Sequence, residues 1–447
     1  MTNFATRDIF VDAFEASQRS VSCSQTIAEL RRRAFDHFLE IGFPTTRLEK
    51  WRFSNVAPIA NTEFSVAASA TIPRSALSTY GVAQSNEENP LLVFVNGRYV
   101  SDLSNTVGVP DNVNAGGLAD ALTSESAAGL VESTLAATAS FKGDAFTSIN
   151  TGMFYDGAFV HVPDNTVVEQ LIQLVFVTVP SADGIPIMSN PRVLLLLGDN
   201  SEARFIEDYV SYGSGRYLTN GVTEVIGGAN ARVDHYKLVR EDTEAFHIGS
   251  MHLRLDRAAS FSSHSVTLGG EIVRNDVQAV LDGEGAECTL NGLYLVNGRR
   301  LVDNRTTINH AKPHCSSHEL YKGILDDQAR AVFNGKIVVA IDAQKTDAKQ
   351  TNKALLLSEE AQINTKPELE IFADDVKCTH GATVGQLDDD ALFYLRARGL
   401  GFEQARNVLI QAFASDLLEG VRLPVVRAQL DRLLLEQLAG LRGRNLA

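Results

Sequence analysis

The chain has 447 residues, of which 44% are hydrophobic and 21% charged, and its formal net charge at pH 7 is −15. This length predicts two or three structural units, because single hydrophobic cores seldom grow beyond about 250–300 residues. The acidic balance argues against nucleic-acid binding, which depends on clustered Lys and Arg, and the composition is not that of a disordered or fibrous protein.

The sequence gives no targeting or disulfide signal. Residues 1–14 mix charged and polar residues among apolar ones, which argues against a signal peptide. The longest apolar runs, 171–179 and 193–197, are far shorter than the roughly 20 residues of a membrane-spanning helix. We therefore expect a cytoplasmic protein. The cysteines show no paired spacing of a disulfide framework: Cys23, Cys288, Cys315 and Cys378.

The first region, residues 1–157, is predicted to be a helical and mixed domain. Between Ser24 and Gly42, apolar residues recur every three and four positions, which is typical of an amphipathic helix. Further helical patches lie at 117–122 and 124–137. The segment Pro44–Val56 carries the single tryptophan, Trp51, which we expect to be packed between its basic neighbours.

The second region, residues 158–386, is predicted to be a parallel β-helix. Short β-rich runs replace helical periodicity, and turn dipeptides such as Asp-Asn, Gly-Gly and Asn-Gly separate them. The sequence contains no repeated blade signature, which argues against a propeller. Uneven spacing and long polar connectors such as 342–353 favour a solenoid, although composition alone also allows a sandwich. The predicted strands are 158–162, 171–179, 193–197, 203–209, 232–238, 264–268, 277–281, 293–296, 330–333, 337–341 and 369–372.

The third region, residues 387–447, is predicted to be a small helical domain. Acidic residues at 388–390 precede a helical segment that closes with Arg398 and Gly399, which is the charge and glycine polarity expected of a helix. Two more helical patterns follow, one from Phe402 to Gly420 and one after Pro424. The predicted fold is therefore mainly β, with a β-helix core between N-terminal and C-terminal helical domains.

The most informative pattern is Cys378-Thr-His380, shortly before the first C-terminal helix. In an extended backbone, residues two apart point to the same side, so the thiol and the imidazole would share one face. Both are ligands that bind iron or zinc. The pair therefore predicts a metal or sulfur site, although a buried thiol beside a hydrogen-bonded histidine would show the same spacing.

A second cluster has the residue types of a zinc site. Pro313 prevents one helix from aligning its histidines, and a strand would place adjacent cluster residues on opposite faces. Structural or solvent-facing roles are therefore favoured. A stand-alone metal-dependent β-helix enzyme that uses this cluster is the alternative function. The cluster comprises His310, His314, Cys315 and His318.

Common nucleotide and hydrolase motifs are absent from the sequence. The segment 334–337 lacks both the upstream glycine and the hydroxyl residue of a P-loop, so the chain is not predicted to hydrolyse ATP. No Gly-x-Ser-x-Gly, Cys-x-x-Cys or His-Glu-x-x-His motif occurs.

Three stretches resemble the SufB/SufD family of the SUF iron–sulfur cluster assembly system. The first is residues 378–400, Cys-Thr-His-Gly-Ala-Thr-Val-Gly-Gln-Leu-Asp-Asp-Asp-Ala-Leu-Phe-Tyr-Leu-Arg-Ala-Arg-Gly-Leu. The second, 44–56, is similar to the family's Pro-Thr-x-Arg-x-Glu-x-Trp motif, and the third is 313–323. Gly381 follows His380 where SufB usually has Glu, so the resemblance is to the SufD branch.

The resemblance implies a right-handed parallel β-helix that acts as a non-ATPase scaffold in a SufBC2D-type complex. The chain would pair with SufB through the C-terminal end of its β-helix. Cys378 and His380 would lie at this interface and hold a transient iron–sulfur cluster, with His380 the stronger candidate ligand and Cys378 binding metal as a thiolate. No tightly bound cofactor is implied for the isolated chain. A purely structural partner, in which both residues only pack, stays an open alternative.

The resemblance also implies a second partner, the SufC ATPase, on the C-terminal helices, and it allows a homodimer of the chain when it is alone. The residues implied in SufC binding are Phe393, Tyr394, Leu395, Arg396, Arg398, Gly399, Leu400, Phe402 and Arg406.

Overall fold

The structure is a computed structural model that describes residues 4–80 and 89–442. Helices lie towards both ends of the chain, and strands dominate the middle. The helices are α1 (Phe4–Ser20), α2 (Gln25–Ile41), α3 (Ala57–Ala60), α4 (Leu118–Ala121), α5 (Ala128–Thr134), α6 (Ala145–Met153), α7 (Asp389–Ala397), α8 (Phe402–Glu419) and α9 (Pro424–Arg442). Short 3-10 helices lie at Glu49–Trp51, Arg74–Thr79 and Ser101–Leu103.

From β9 onward the strands are eight to eleven residues long. They are β1 (Ser65–Val66), β2 (Leu91–Val95), β3 (Arg98–Tyr99), β4 (Asn114–Gly117), β5 (Ala158–Val162), β6 (Val167–Thr178), β7 (Ile187–Ser189), β8 (Arg192–Leu197), β9 (Glu202–Ser211), β10 (Tyr217–Gly227), β11 (Arg232–Arg240), β12 (Phe246–Leu255), β13 (Ser260–Thr267), β14 (Ile272–Leu281), β15 (Glu287–Val296), β16 (Leu301–His310), β17 (Ser316–Leu325), β18 (Arg330–Val339), β19 (Asp347–Leu356), β20 (Gln362–Ile371) and β21 (Lys377–Gly385).

The chain winds into a parallel β-helix whose strands form two sheets. Sheet A has the order β20-β18-β16-β14-β12-β10-β8-β5-β4, with β7 and β1 beside it, and sheet B has the order β21-β19-β17-β15-β13-β11-β9-β6-β2-β3. From β8 onward, consecutive strands alternate between the sheets, so each coil gives one strand to each. The predicted β-helix with helices at both termini is confirmed, with about seven coils.

An apolar interior and a ladder of turns hold the coils together. Side chains such as Phe205, Phe261 and Phe333 fill the space between the sheets, and each such burial contributes roughly 1.5–3 kcal/mol. At one corner, successive coils place a residue in the left-handed region, including Asn200 at φ 56° and Asn230 at φ 59°. Their side-chain amides bond to one another at 2.8 Å, and asparagine tolerates this conformation well.

The Pro44–Val56 segment docks on the outer side of sheet A. Trp51 is buried, as expected, but its cationic neighbour is Arg274 of β14, whose guanidinium lies 3.7 Å from the ring centroid. Arg274 also donates to the Lys50 carbonyl at 3.0 Å and forms an ion pair with Asp303. This tryptophan therefore fixes the N-terminal region to the β-helix.

A fully buried ion pair of the β-helix also binds the loop between α5 and α6. Arg192 of β8 donates to Glu224 of β10 at 2.6 Å, and both side chains are inaccessible to solvent. Glu224 also accepts from the amides of Ala136 and Ala139, at 2.8 and 2.9 Å. Burial alone would raise the pKa of Glu224, but the Arg192 charge and these amides outweigh it, so the pKa is lowered.

We expect Arg192→Met to destabilise the protein by roughly 3–5 kcal/mol, because it leaves Glu224 buried and uncompensated. Urea unfolding of the variant and the wild type measures the difference. Arg216→Met is the matched control, because Arg216 pairs with Glu271 at the partly exposed surface, where an ion pair contributes about 0–1 kcal/mol. Equal losses in both variants would contradict this account of the buried pair.

The C-terminal helices cover the outer face of sheet B. Apolar residues of α8 and α9, such as Leu417 and Leu434, pack on sheet residues such as Leu238 and Leu293. At the far end of the β-helix, β20 pairs with β18 and β21 pairs with β19, and no other described strand covers their outer edges. The last coil is therefore open.

Several strands lie where the sequence pattern predicts none, and β19 contradicts a prediction outright. Residues 342–353, expected as a polar connector, contain the first half of β19. Its inward residues Gln350 and Asn352 are each 1% exposed, while Lys349 is exposed. Because polar residues face both ways, the usual alternation of apolar and polar residues is lost. Polar interior residues of β10, such as Thr223, remove the same alternation, so the sequence pattern does not predict that strand either.

Candidate functional site

Strand β21 places Cys378 and His380 on one face, at the open end of the β-helix. Cys378 is in register with Ala348 of β19, and His380 with Gln350. Both β19 residues are buried between the sheets. Since in-register residues of parallel strands point the same way, Cys378 and His380 lie on the interior side of the last coil.

The two side chains have different surroundings. Cys378 is half-buried and packs with a small apolar cluster that includes Val339 and Ala348, whereas His380 is exposed. Partial burial raises the pKa of the Cys378 thiol, although the Ala348 amide acts in the opposite direction. The protonated thiol therefore predominates at neutral pH in the free chain, and binding a metal as a thiolate requires loss of that proton.

The residue directly below His380 is one that sequence reasoning missed. Gln350 is buried in β19, within the segment that the sequence predicted to be a connector. The signal that could have found it is the pair Gln350 and Asn352, two amides at the two-residue spacing of a strand face.

The second cluster is not assembled into a metal site. His310 is buried and bonds to Ser317 at 2.9 Å, and burial lowers its pKa to about 4. The buried thiol of Cys315 donates to the Gly283 carbonyl at 3.2 Å. His314 is the left-handed residue of a coil turn, at φ 59°, and His318 is exposed on β17.

These four residues therefore have separate structural or surface positions. Within residues 4–80 and 89–442, no group of three or more His, Cys, Asp or Glu side chains is arranged to hold a metal ion.

Helix α7 presents aromatic side chains to solvent. The Asp388 side chain accepts from the amides at the start of α7, and none of the helix's residues is buried. Phe393 and Tyr394 are 72% and 57% exposed, and Phe402, at the start of α8, is 49% exposed. Gly399 takes φ 96°, which ends the helix before the turn into α8.

Of the other residues that the resemblance implies here, the two arginines lie beside the exposed aromatic rings. The Arg396 guanidinium lies 5.8 Å from the Phe402 ring centroid, and that of Arg398 lies 5.1 Å from Tyr394. Leu395 and Leu400 are partly buried. This aromatic and cationic surface of α7 has the composition of a protein interface.

Arg406 differs from its neighbours, because it already has a partner within the chain. Its guanidinium pairs with Asp326 at 2.9 Å and is mostly buried. Asp326 lies in the turn between β17 and β18, so the pair fixes α8 to the β-helix.

Two family models match most of the chain. The family model described as SUF system FeS cluster assembly, SufBD core domain, matches residues 178–413. The chain belongs to the SufBD family. A second SufBD model, of the N-terminal region, matches residues 5–174. The two matches together include the β-helix, the open final coil and helix α7.

Curated SufBD relatives match along most of the chain. The iron–sulfur cluster assembly protein SufD of Escherichia coli is 34% identical over 415 residues, 91% of this chain and 90% of the relative. An iron–sulfur cluster assembly SufBD family protein of Synechocystis is 33% identical over 414 residues, 90% of this chain and 88% of the relative. The SufD protein of Bacillus subtilis is 28% identical over 289 residues, 64% of each.

The predicted relationship to the SUF system is thereby confirmed, and with it a role in iron–sulfur cluster assembly. The SufBD family is one of assembly subunits. None of the helices that the structure describes is both long and apolar enough to cross a membrane.

Proposed function

We propose that this SufBD chain is the SufD-type scaffold of a SufBC2D-type complex. It pairs with SufB through its open final coil and carries a SufC ATPase subunit on α7 and the start of α8. The observation that carries the proposal is the placement of Cys378 and His380 together on the interior side of β21, the strand whose outer edge is free.

The open coil suits pairing with a second β-helix. A free parallel edge presents unpaired N–H and C=O groups that another strand can complete. Apolar side chains lie beside it, with Ile371 39%, Phe372 62% and Val384 45% exposed. A paralogous β-helix would continue both sheets and cover these side chains.

The two edges of the open coil are not equivalent. Pro367 lies within β20, and it has no backbone N–H. The Gln362 amide donates to Ala329, just before β18, and the Phe372 amide donates to Val339 of β18. Because amides alternate in direction along a strand, the backbone nitrogen of Pro367 faces the free edge. Strand β21 has no proline, which makes it the better edge for pairing.

The site is incomplete without a partner. One imidazole and one thiol supply two ligands, while iron in clusters takes about four, mostly thiolates. Within this chain, no third ligand joins them in the part that the structure describes. A cluster assembled here is therefore cargo that this chain shares with SufB. SufB supplies the further ligands, and the cluster dissociates from all of them when it is transferred.

The ATPase activity belongs to SufC in this proposal, since the chain lacks a P-loop. Helix α7 buries none of its side chains. A partner that binds this helix can therefore move it with little loss of packing energy within the chain. The exposed Phe393 and Tyr394 rings are the anchors of this contact.

We expect Phe393→Ala combined with Tyr394→Ala to weaken SufC binding by at least about 100-fold, because buried aromatic anchors contribute about 2 kcal/mol or more each. Calorimetric titration of the purified chain with SufC measures the affinity. Val425→Ala with Leu435→Ala is the control, since both residues are exposed on α9. Unchanged SufC affinity in the aromatic variant would exclude α7 as the docking surface.

A further inference from the structure

A column of polar side chains leads from the interior of the β-helix to His380. Glu319 of β17, Gln350 of β19 and His380 of β21 are in register on adjacent strands of sheet B. Glu319 is 3% and Gln350 1% exposed. Adjacent strands are about 4.8 Å apart, so the Gln350 side chain occupies the layer between the buried carboxyl group and the exposed imidazole.

Hydrogen bonding gives the Gln350 amide a fixed direction. Its Nε2 donates to Glu319 Oε2 at 2.6 Å. Its Oε1 is buried and has no hydrogen-bond partner among the described residues. Because the nitrogen faces β17, the oxygen is turned away from Glu319. The strand on that side of β19 is β21, which carries His380.

A glycine on the opposite sheet leaves room for this amide. A Cβ atom at Gly335 of β18 would lie 2.1 Å from Gln350 Nε2. A side chain at that position would therefore displace the amide, since such a distance is far below van der Waals contact. Three separate residues, Glu319, Gln350 and Gly335, thus determine where the amide oxygen lies.

We infer that Glu319 and Gln350 are positioning residues for His380. The structure leaves Gln350 Oε1 without a partner, and the exposed His380 ring would turn towards it and donate its N–H to this oxygen. This hydrogen bond selects one tautomer and leaves the other ring nitrogen as a neutral electron-pair donor for the iron–sulfur cargo. Histidine ligands are usually oriented by such a second bond. The inference rests on the proposed function, in which His380 contacts the cargo.

The role of Glu319 is that of a hydrogen-bond acceptor rather than of a charge. Burial raises the pKa of Glu319 to about 7, with no cation opposing it. Its Oε2 accepts from Gln350 whether the carboxyl group is protonated or not. A glutamine at 319 also offers an acceptor oxygen, whereas a methionine does not. Glu319→Gln should therefore preserve the arrangement that Glu319→Met removes.

The experiment is 15N NMR of the histidine rings in the purified full chain labelled with 15N-histidine, at one fixed pH near 8. His380→Asn identifies the His380 signals by their loss. In the wild type, we expect the ratio of ring tautomers at His380 to differ about 5- to 10-fold from that of a histidine peptide in the same buffer, as one hydrogen bond of ordinary strength would produce. A peptide-like ratio in the wild type overturns the inference, whatever the variants do.

The variants identify the acceptor. Gln350→Met, Glu319→Met and Gly335→Ala should each return the ratio to the peptide value, and Glu319→Gln should keep it. Asn352→Leu is the matched control, because Asn352 is equally buried on the same strand but in register with Ala382. An unchanged ratio in folded Gln350→Met, or the same change in Asn352→Leu, overturns the inference.

This test is independent of cluster assembly. It uses the isolated chain and measures the imidazole directly, so a dispensable His380 in assembly would refute the proposed function without altering the tautomer ratio. Conversely, a peptide-like ratio would refute the positioning role while leaving His380 as a ligand.

Discussion

Replacing His380 with alanine is expected to reduce iron–sulfur cluster assembly by at least about 100-fold while the complex with SufB and SufC still forms. The imidazole is exposed on the interior side of the final coil, so its removal deletes a ligand without opening a cavity. Loss of a group that merely supports a ligand already costs about 10- to 100-fold. Reconstitution of the purified complex with iron and a sulfide source, followed by absorbance of the cluster, measures the effect.

The matched control for this variant is His318→Ala. His318 is an exposed histidine of the same sheet, in register with Lys349, and it therefore lies on the outer face. Normal assembly is expected in this control. Normal assembly in His380→Ala as well would remove His380 from the site and favour a purely structural role for the chain.

Introducing proline at Ala382 is expected to weaken the pairing with SufB by at least about tenfold. The Lys377 amide donates to Thr346, just before β19. Because amides alternate in direction along a strand, the Ala382 N–H faces the free edge. Proline removes this donor and places its ring against the approaching strand. One lost hydrogen bond with a steric clash exceeds 1.4 kcal/mol, which is tenfold in affinity. Affinity measurements with purified SufB test this result.

Ala382→Ser separates the backbone effect from the side-chain effect, because serine keeps the N–H group. This variant should bind SufB with nearly wild-type affinity. If the proline and serine variants bind equally well, the edge of β21 is not the pairing surface.

The sequence predicts helices and turns where local chemistry decides them. Helix α2 lies within the predicted span, with Ser24 as its cap and Gly42 at its end, and Asp388 caps α7. These signals depend only on neighbours along the chain. The β-helix interior is different, because the polar positions of β10 and β19 are tolerated only after coils stack and supply partners from other strands.

The candidate site shows the same division. The shared face of Cys378 and His380 follows from strand geometry, whereas the register that places Gln350 below His380 depends on coil stacking. The exposure of Phe393 agrees with its predicted role, although that role remains a prediction. The ion pair of Arg406 with Asp326 joins residues 80 positions apart, which no local pattern reveals.

The most direct test of the account is anaerobic affinity purification of the tagged chain from the cells that make it, with mass spectrometry of subunit identity and stoichiometry. We expect recovery with a P-loop ATPase and a paralogous β-helix chain that carries the remaining cluster ligands. Recovery of the chain alone, or with partners that lack both features, would contradict the proposed scaffold role.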